Sequence, residues 1–496
     1  MLICRTDGNT LTHIDYETEK DLEQDTITIP KQIKSFNLMS IYENIKKIVF
    51  EIDCKFIFNF STLIEVQYCF PNLEYVEISN NYYLSEDGIV YDAIHGTTLV
   101  FVPYKYKDKK LSIKKGIEYI SERAIYKTWL ESVEIPDSII KIEPFAITFN
   151  RYLKKIVFPE KNISLLENCL SNNSFLEEVQ NFKFIKDISK APCLFSGCKN
   201  LKSIDFSGLT VPKLPNKLLE ECEKIEKINI NTKLYWEIGS NCFKNSGIKE
   251  FPFKSVTSLG AGSFSGTKIV SVELNFPLSA VGAFSDCKEL TDVVINHYNT
   301  NVPACSFWNC TNLKSVIFHN THRVTEQNEY NIENNAFMNC ENLTEISYDI
   351  KPNIKNISHQ AFYGCSKLLR FPLDNICAIE IEVFRGCTSL TEIQIEQNPD
   401  SIRISTGAFW DCKNLRTVKI NSVVGLSDKA FNHCKKLETI EIEKISYMTE
   451  TAFADCKKIK KITLGEIPPN FVIDKMQLSK EISPFVKTII ENIMFS

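Results

Sequence analysis

No stretch of this 496-residue chain holds the roughly 18 consecutive apolar residues that a membrane-spanning helix needs. The opening, Met1-Leu2-Ile3-Cys4-Arg5, turns polar after four residues, so no secretory-signal core is expected there. An excess of one charge is also missing. The 57 basic and 62 acidic residues leave a net charge of -5, which gives no reason to expect nucleic acid or an anionic membrane as partner. The motifs that carry phosphate, dinucleotide, zinc-protease or serine-hydrolase chemistry are absent: there is no P-loop, no Gly-x-Gly-x-x-Gly, no His-Glu-x-x-His and no Gly-x-Ser-x-Gly. The seven histidines include one close pair, His319 and His322, read as solvated loop residues. These absences predict a non-catalytic protein with no cofactor and no metal.

What the chain does have is a repeat. A small residue, Phe, two residues, Cys, two residues, Leu, two residues and an Ile-x-Ile pair recur from Phe284 (Cys287, Leu290, Val293, Ile295) through Phe307, Phe337, Phe384, Phe409 and Phe431 to Phe453 (Cys456, Ile459, Ile462, Leu464). Looser copies begin at Phe195, Leu219, Phe243, Phe264 and Phe362. The Leu slot alone recurs from Leu130 to Ile459 with a mean spacing of about 23.5 residues, inside the leucine-rich-repeat range. The period-2 ending predicts a short strand with two inward residues. One coil cannot bury that face alone, so coils must stack with their strands side by side in a parallel sheet.

The other slots follow. Phe fills the far side of the core, and the Ala before it (Ala283, Ala336, Ala361, Ala408, Ala430, Ala452) predicts close backbone packing. The residue before Cys is often Gly, Asn or Asp, types that tolerate the left-handed backbone of a tight turn. Ten of the eighteen cysteines occupy the repeat slot. They are read as a column of buried thiols, each a small apolar filler and weak donor. No Cys-x-x-Cys pair supports zinc. Disulfides along the column remain an alternative, since stacked Cα atoms could approach the required distance.

The unit resembles that of the BspA-like leucine-rich-repeat family, roughly Ala-Phe-x-x-Cys-x-x-Leu-x-x-Ile-x-Ile-Pro, over about residues 87–465. The chain keeps the Pro at Pro30, Pro136 and Pro159. The resemblance implies a right-handed α/β repeat solenoid with a parallel concave sheet and short or irregular convex segments. It also implies a surface-displayed, adhesive protein, as in bacterial and parasitic-protist relatives. An intracellular scaffold or adaptor of the same architecture is the alternative. The absence of an evident signal segment points to the cytoplasm, and the resemblance to a cell surface. Partners are expected to be other proteins, and the chain a monomer.

Three regions are expected. Residues 1–86 form an irregular repeat or cap. Residues 87–465 form the solenoid, with a hairpin inserted near 87–103. Residues 466–496 end in an amphipathic helix, from Ile482, Phe485, Val486, Ile489, Ile490 and Ile493 behind the Ser483-Pro484 start signal. That helix is read as a cap on the last coil, with a membrane-surface helix as the alternative. The polar stretch from Thr321 to Asn331 is read as a surface loop.

Binding in such arrays uses the strand-lined face. Its exposed positions are mostly small or charged. Three successive coils differ: Asp292, Val294 and Asn296, then Ser315, Ile317 and His319, then Glu345, Ser347 and Asp349. Val294 and Ile317 would lie side by side with no core reason to be apolar. An apolar pair rimmed by polar groups is a candidate protein-binding centre.

Overall fold

A short strand carrying two inward side chains gains little by itself and much from an identical neighbour, and this pairing organises the molecule. The computed structural model describes residues 2–297, 301–319, 330–349, 354–373, 376–395, 402–449, 451–466 and 472–474. The chain is a parallel-strand solenoid of about 19 turns with very little helix. It divides into two compact units, Met1–Leu234 with Asn245–Ile248, and Tyr235–Lys244 with Lys249–Ser496.

In the N-terminal unit an antiparallel pair, Leu2–Asp7 and Thr10–Tyr16, turns at Gly8. Parallel strands Thr26–Ile29, Lys47–Phe50 and Tyr75–Glu77 follow, with Ile27 opposite Ile48 and Ile48 opposite Val76. Between the last two lies a helix, Phe60–Cys69, that the repeat pattern did not announce. Asn59 caps it, accepting a hydrogen bond from the Thr62 backbone N–H while the Thr62 hydroxyl accepts one from the Asn59 N–H. Strands Tyr83–Glu86, Ile89–Asp92 and Thr98–Phe101 then pair antiparallel. The four strands Lys110–Ser112, Ser132–Glu134, Lys155–Val157 and Glu178–Gln180 resume the parallel stack.

The C-terminal unit holds the most regular coils. Phe284, Phe307, Phe337, Phe362, Phe384, Phe409, Phe431 and Phe453 form one file of stacked rings. Successive centroids lie 5.0–5.9 Å apart and planes agree within 11°. Fully burying each ring contributes roughly 1.5–3 kcal/mol, and offset stacking adds about 0.5–1.5 kcal/mol. The preceding alanines from Ala283 to Ala452 are fully buried, as close packing requires. Each Cys thiol donates to the Phe carbonyl of the coil before it, at 3.0–3.3 Å from Cys310 to Cys456. All eighteen cysteines are free thiols.

The Phe side of these coils is more ordered than irregular segments would be. Three backbone N–H groups per coil reach the next coil. For example, Gln360, Phe362 and Gly364 donate to the carbonyls of Ile381, Val383 and Arg385. Two left-handed residues per coil aim these groups. The one before Cys is Asp286, Asn309, Asn339, Gly364, Gly386, Asp411 or Asp455, as the residue types predicted, and in one coil His433, which they did not. The second lies two residues before Phe and includes Cys305, Gln360, Glu382 and Lys429, whose side chains give no such hint.

A second parallel ladder also runs through this unit, Tyr330–Ile332, Ile354–Ile357, Ala378–Ile379, Ile402–Ile404 and the ten-residue Thr417–Leu426. Its Ile-x-Ile pairs bury alternate residues, as in Ile402 and Ile404. This ladder corrects the loop expected to run to Asn331: Tyr330 and Asn331 begin a strand, and Tyr330 is buried because it fills an inward slot. Thr321–Glu329 lies outside the described residues, as does the amphipathic segment Ile482–Met494.

Candidate functional site

The nine candidate binding residues come together on one four-stranded parallel sheet, Ser271–Leu274, Asp292–Ile295, Ser315–Phe318 and Glu345–Tyr348. Alternation sends Val293, Ile295, Val316, Phe318 and Ile346 into the core. Their neighbours face outward in three rows. Asp292 is opposite Ser315 and Ser315 opposite Glu345. Val294 is opposite Ile317, and Ile317 opposite Ser347. Asn296, His319 and Asp349 continue past the strand ends, their N–H groups donating to carbonyls of the preceding coil: Asn296 to Leu274, His319 to Ile295 and Asp349 to Phe318. Counting from the Leu slot therefore gave the register, because parallel stacked coils pair equivalent positions.

The polar rim is tied to itself. The Ser315 hydroxyl donates to Asp292 Oδ1 at 2.9 Å, and the Thr291 hydroxyl donates to Asp292 Oδ2 at 2.7 Å. His319 Nδ1 lies 2.9 Å from Asp349 Oδ2, so this histidine sits at a strand end with a carboxylate partner. His322 lies outside the described residues. Val294 and Ile317 are half-buried, with Ser347 beside them. Sequence reasoning missed the neighbour on the other edge. Glu273 pairs with Val294, and its Oε1 accepts from Asn296 Nδ2 at 3.2 Å. The signal was available, since Glu273 holds the same slot one coil earlier. The face is thus an apolar pair within an acidic rim of Glu273, Asp292, Glu345 and Asp349.

Most of the repeat cysteines are buried thiols with raised pKa. Burial pushes the Cys198 thiol up to about 12 and raises Cys365, Cys387 and Cys412 as well, which keeps them protonated and inert at neutral pH. His433 and its neighbour Cys434 point apart. The imidazole lies between Asp411 at 3.5 Å and Asp455 at 2.8 Å, while the thiol is buried and donates to the Phe409 carbonyl. Among the described residues no group of three or more His, Cys, Asp or Glu could hold a metal ion. None of the described helices is long and apolar enough to cross a membrane.

Comparison with known proteins places this architecture. The chain matches the model of the BspA type leucine rich repeat region (6 copies) over residues 104–192, 191–282, 237–368, 323–422 and 378–480. No curated protein matches the sequence. Among solved structures, it is similar to a leucine-rich repeat protein from Bacteroides ovatus at 20% identity, covering 74% of this chain and 99% of that one, with a TM-score of 0.46. A leucine rich cell surface protein from Faecalibacterium prausnitzii is also 20% identical, with 74% and 94% covered and a TM-score of 0.42. The pneumococcal vaccine antigen PcpA is 16% identical, with 80% and 99% covered and a TM-score of 0.33. From the repeat slots, the stacked coils and the extent of the family match, the chain belongs to the BspA-type leucine-rich-repeat family, a family of repeat proteins for protein interaction.

Proposed function

We propose that the protein is a surface-displayed adhesion antigen that captures another protein on the sheet face around Val294 and Ile317. The observation that supports this reading is the in-register apolar pair, flanked by Glu273 and Ser347, on a face whose equivalent slots in most other coils are polar, such as Gln394 and Lys419, or hold a single apolar residue between polar ones, as Val157 between Glu134 and Gln180. The core does not need Val294 or Ile317 to be apolar. Burying the pair under a partner would exclude water from the acidic rim and strengthen its contacts. The rim favours a partner segment with basic residues around an apolar centre.

The test is Ile317→Asp in the intact chain. Partner capture should weaken while the melting temperature and circular dichroism stay at wild-type values. Unchanged capture retires this face. Display is tested separately, by protease shaving of intact cells, which should remove the protein. Survival of the chain until lysis would favour the second reading, an intracellular scaffold. The eighteen free thiols support that second reading, because reduced cysteines suit a reducing compartment.

A further inference from the structure

The residue just before the Leu slot is a control built into the repeat. From Asn200 to Lys458, twelve successive coils place Asn, Lys, Gly, Glu or Ser there. The three coils before them place Trp129, Tyr152 and Phe175. The fold evidently needs no aromatic at this slot. These rings are 43%, 47% and 53% exposed, whereas the Phe rings of the repeat slot, such as Phe284 and Phe307, are fully buried. Trp129 and Tyr152 lie 5.2 Å apart.

Phe149 adds a second departure. It holds the left-handed position (φ 59°) that Asn172, Gly197, Asp286 and Asn309 hold in other coils, and it is 40% exposed. A bulky residue is strained in that conformation. A strained, exposed ring near Trp129 and Tyr152 stands against the repeat's own preference at this position.

Trp129, Phe149 and Tyr152 line a trough of about 450 Å³ in the N-terminal unit, together with Lys127, Arg151, Lys199 and Glu221. Among the described residues neither Lys127 nor Arg151 forms an ion pair with a carboxylate. Lys105 rests over the Trp129 ring at 4.3 Å. Trp, Tyr and Arg together are the composition of binding hot spots, and the cations set the sign of the ligand.

We propose that this trough is a separate capture site, specific for an acidic peptide segment that carries apolar side chains. It goes beyond the reading of the Val294 face, which is rimmed by acids and would repel such a segment. The ring geometry disfavours a file of stacked nucleobases: Trp129 and Tyr152 are tilted by 48°, and a lysine covers one face of Trp129.

The experiment measures fluorescence anisotropy of a labelled peptide of alternating Glu and Leu with the full chain. Competitors are a Lys–Leu peptide, polygalacturonate and an oligothymidylate. The Glu–Leu peptide should bind, and binding should weaken as salt rises. Trp129→Ala and Arg151→Glu should each weaken it roughly tenfold or more. Phe149→Asn should weaken it without lowering the melting temperature, since Asn is the residue other coils use there; this keeps loss of binding distinct from loss of fold. Ile317→Asp should leave peptide binding unchanged, so failure of one site is not failure of the other. The proposal is overturned if the wild-type chain does not bind the peptide, if the folded variants bind it as well as wild type does, or if polygalacturonate or oligothymidylate binds more tightly.

Discussion

Coils of the N-terminal unit and coils of the C-terminal unit solve the same problem at one slot with different chemistry. The slot three residues before Leu must satisfy a carbonyl of the preceding coil inside the core. At Leu153 and Leu176 it holds Asn150 and Asn173; from Leu290 to Ile459 it holds Cys in every coil. Asn173 Nδ2 donates to the Ile147 and Leu170 carbonyls, both at 2.8 Å, and its Oδ1 accepts from the Asn150 backbone N–H and side-chain amide. Asn150 likewise donates to the Ile125 carbonyl and accepts twice from Thr128. A thiol such as Cys365 makes one bond, to the Phe337 carbonyl at 3.1 Å. Volumes trade in the same sense. The Asn coils carry Ile147 and Leu170 where the Cys coils carry Phe, so the larger slot residue accompanies the smaller core residue. The lesson is that a repeat conserves a hydrogen-bonding requirement and a volume, and residue identity is one way of meeting them.

The comparison can be broken most sharply at Asn173. Asn173→Ala leaves two buried carbonyls and the Asn150 donors without their partner, and should cost about 3 kcal/mol or more by the usual price of unmatched buried groups. Chemical denaturation measures it; a loss below that of any thiol removal would show the amide ladder to be incidental. Cys365→Ala should come next, at about 1 kcal/mol, because it forfeits one weak bond and a sulfur's worth of packing. Equal losses at the two sites would erase the distinction drawn here. The smallest effect is kinetic and needs no mutation. At mildly alkaline pH, alkylation should reach the exposed Cys377 first, while Cys198 and Cys365, held protonated by burial, should label only on unfolding. Mass mapping of a native time course would contradict this if these two thiols labelled alongside Cys377.

Legibility in the sequence followed the strength of the local physical signal. The Leu, Phe and Cys slots could be read because apolar spacing is set by the strand and by the coil length. The pairing of Val294 with Ile317 could be read because parallel coils match equivalent positions. The left-handed turn before Cys was visible wherever Gly, Asn or Asp occupies it. The matching turn before Phe was not, since Gln360, Glu382 and Lys429 carry no such preference and are held there by hydrogen bonds that their N–H groups donate to the following coil. Asn150 and Asn173 were hidden for a related reason: an Asn among polar neighbours reads as surface until its four bonds are seen.

By itself, then, the sequence determined that coils exist, how long they are and which residues they turn inward, because each coil carries the same demand for a neighbour to cover its apolar face. Only the tertiary structure decided what equivalent positions do for one another. The amide ladder, the thiol ladder and the outward file of aromatic rings each form from residues about one coil apart, at distances that spacing along the chain does not specify. Contacts between coils depend on side-chain volume and on hydrogen-bond direction in three dimensions.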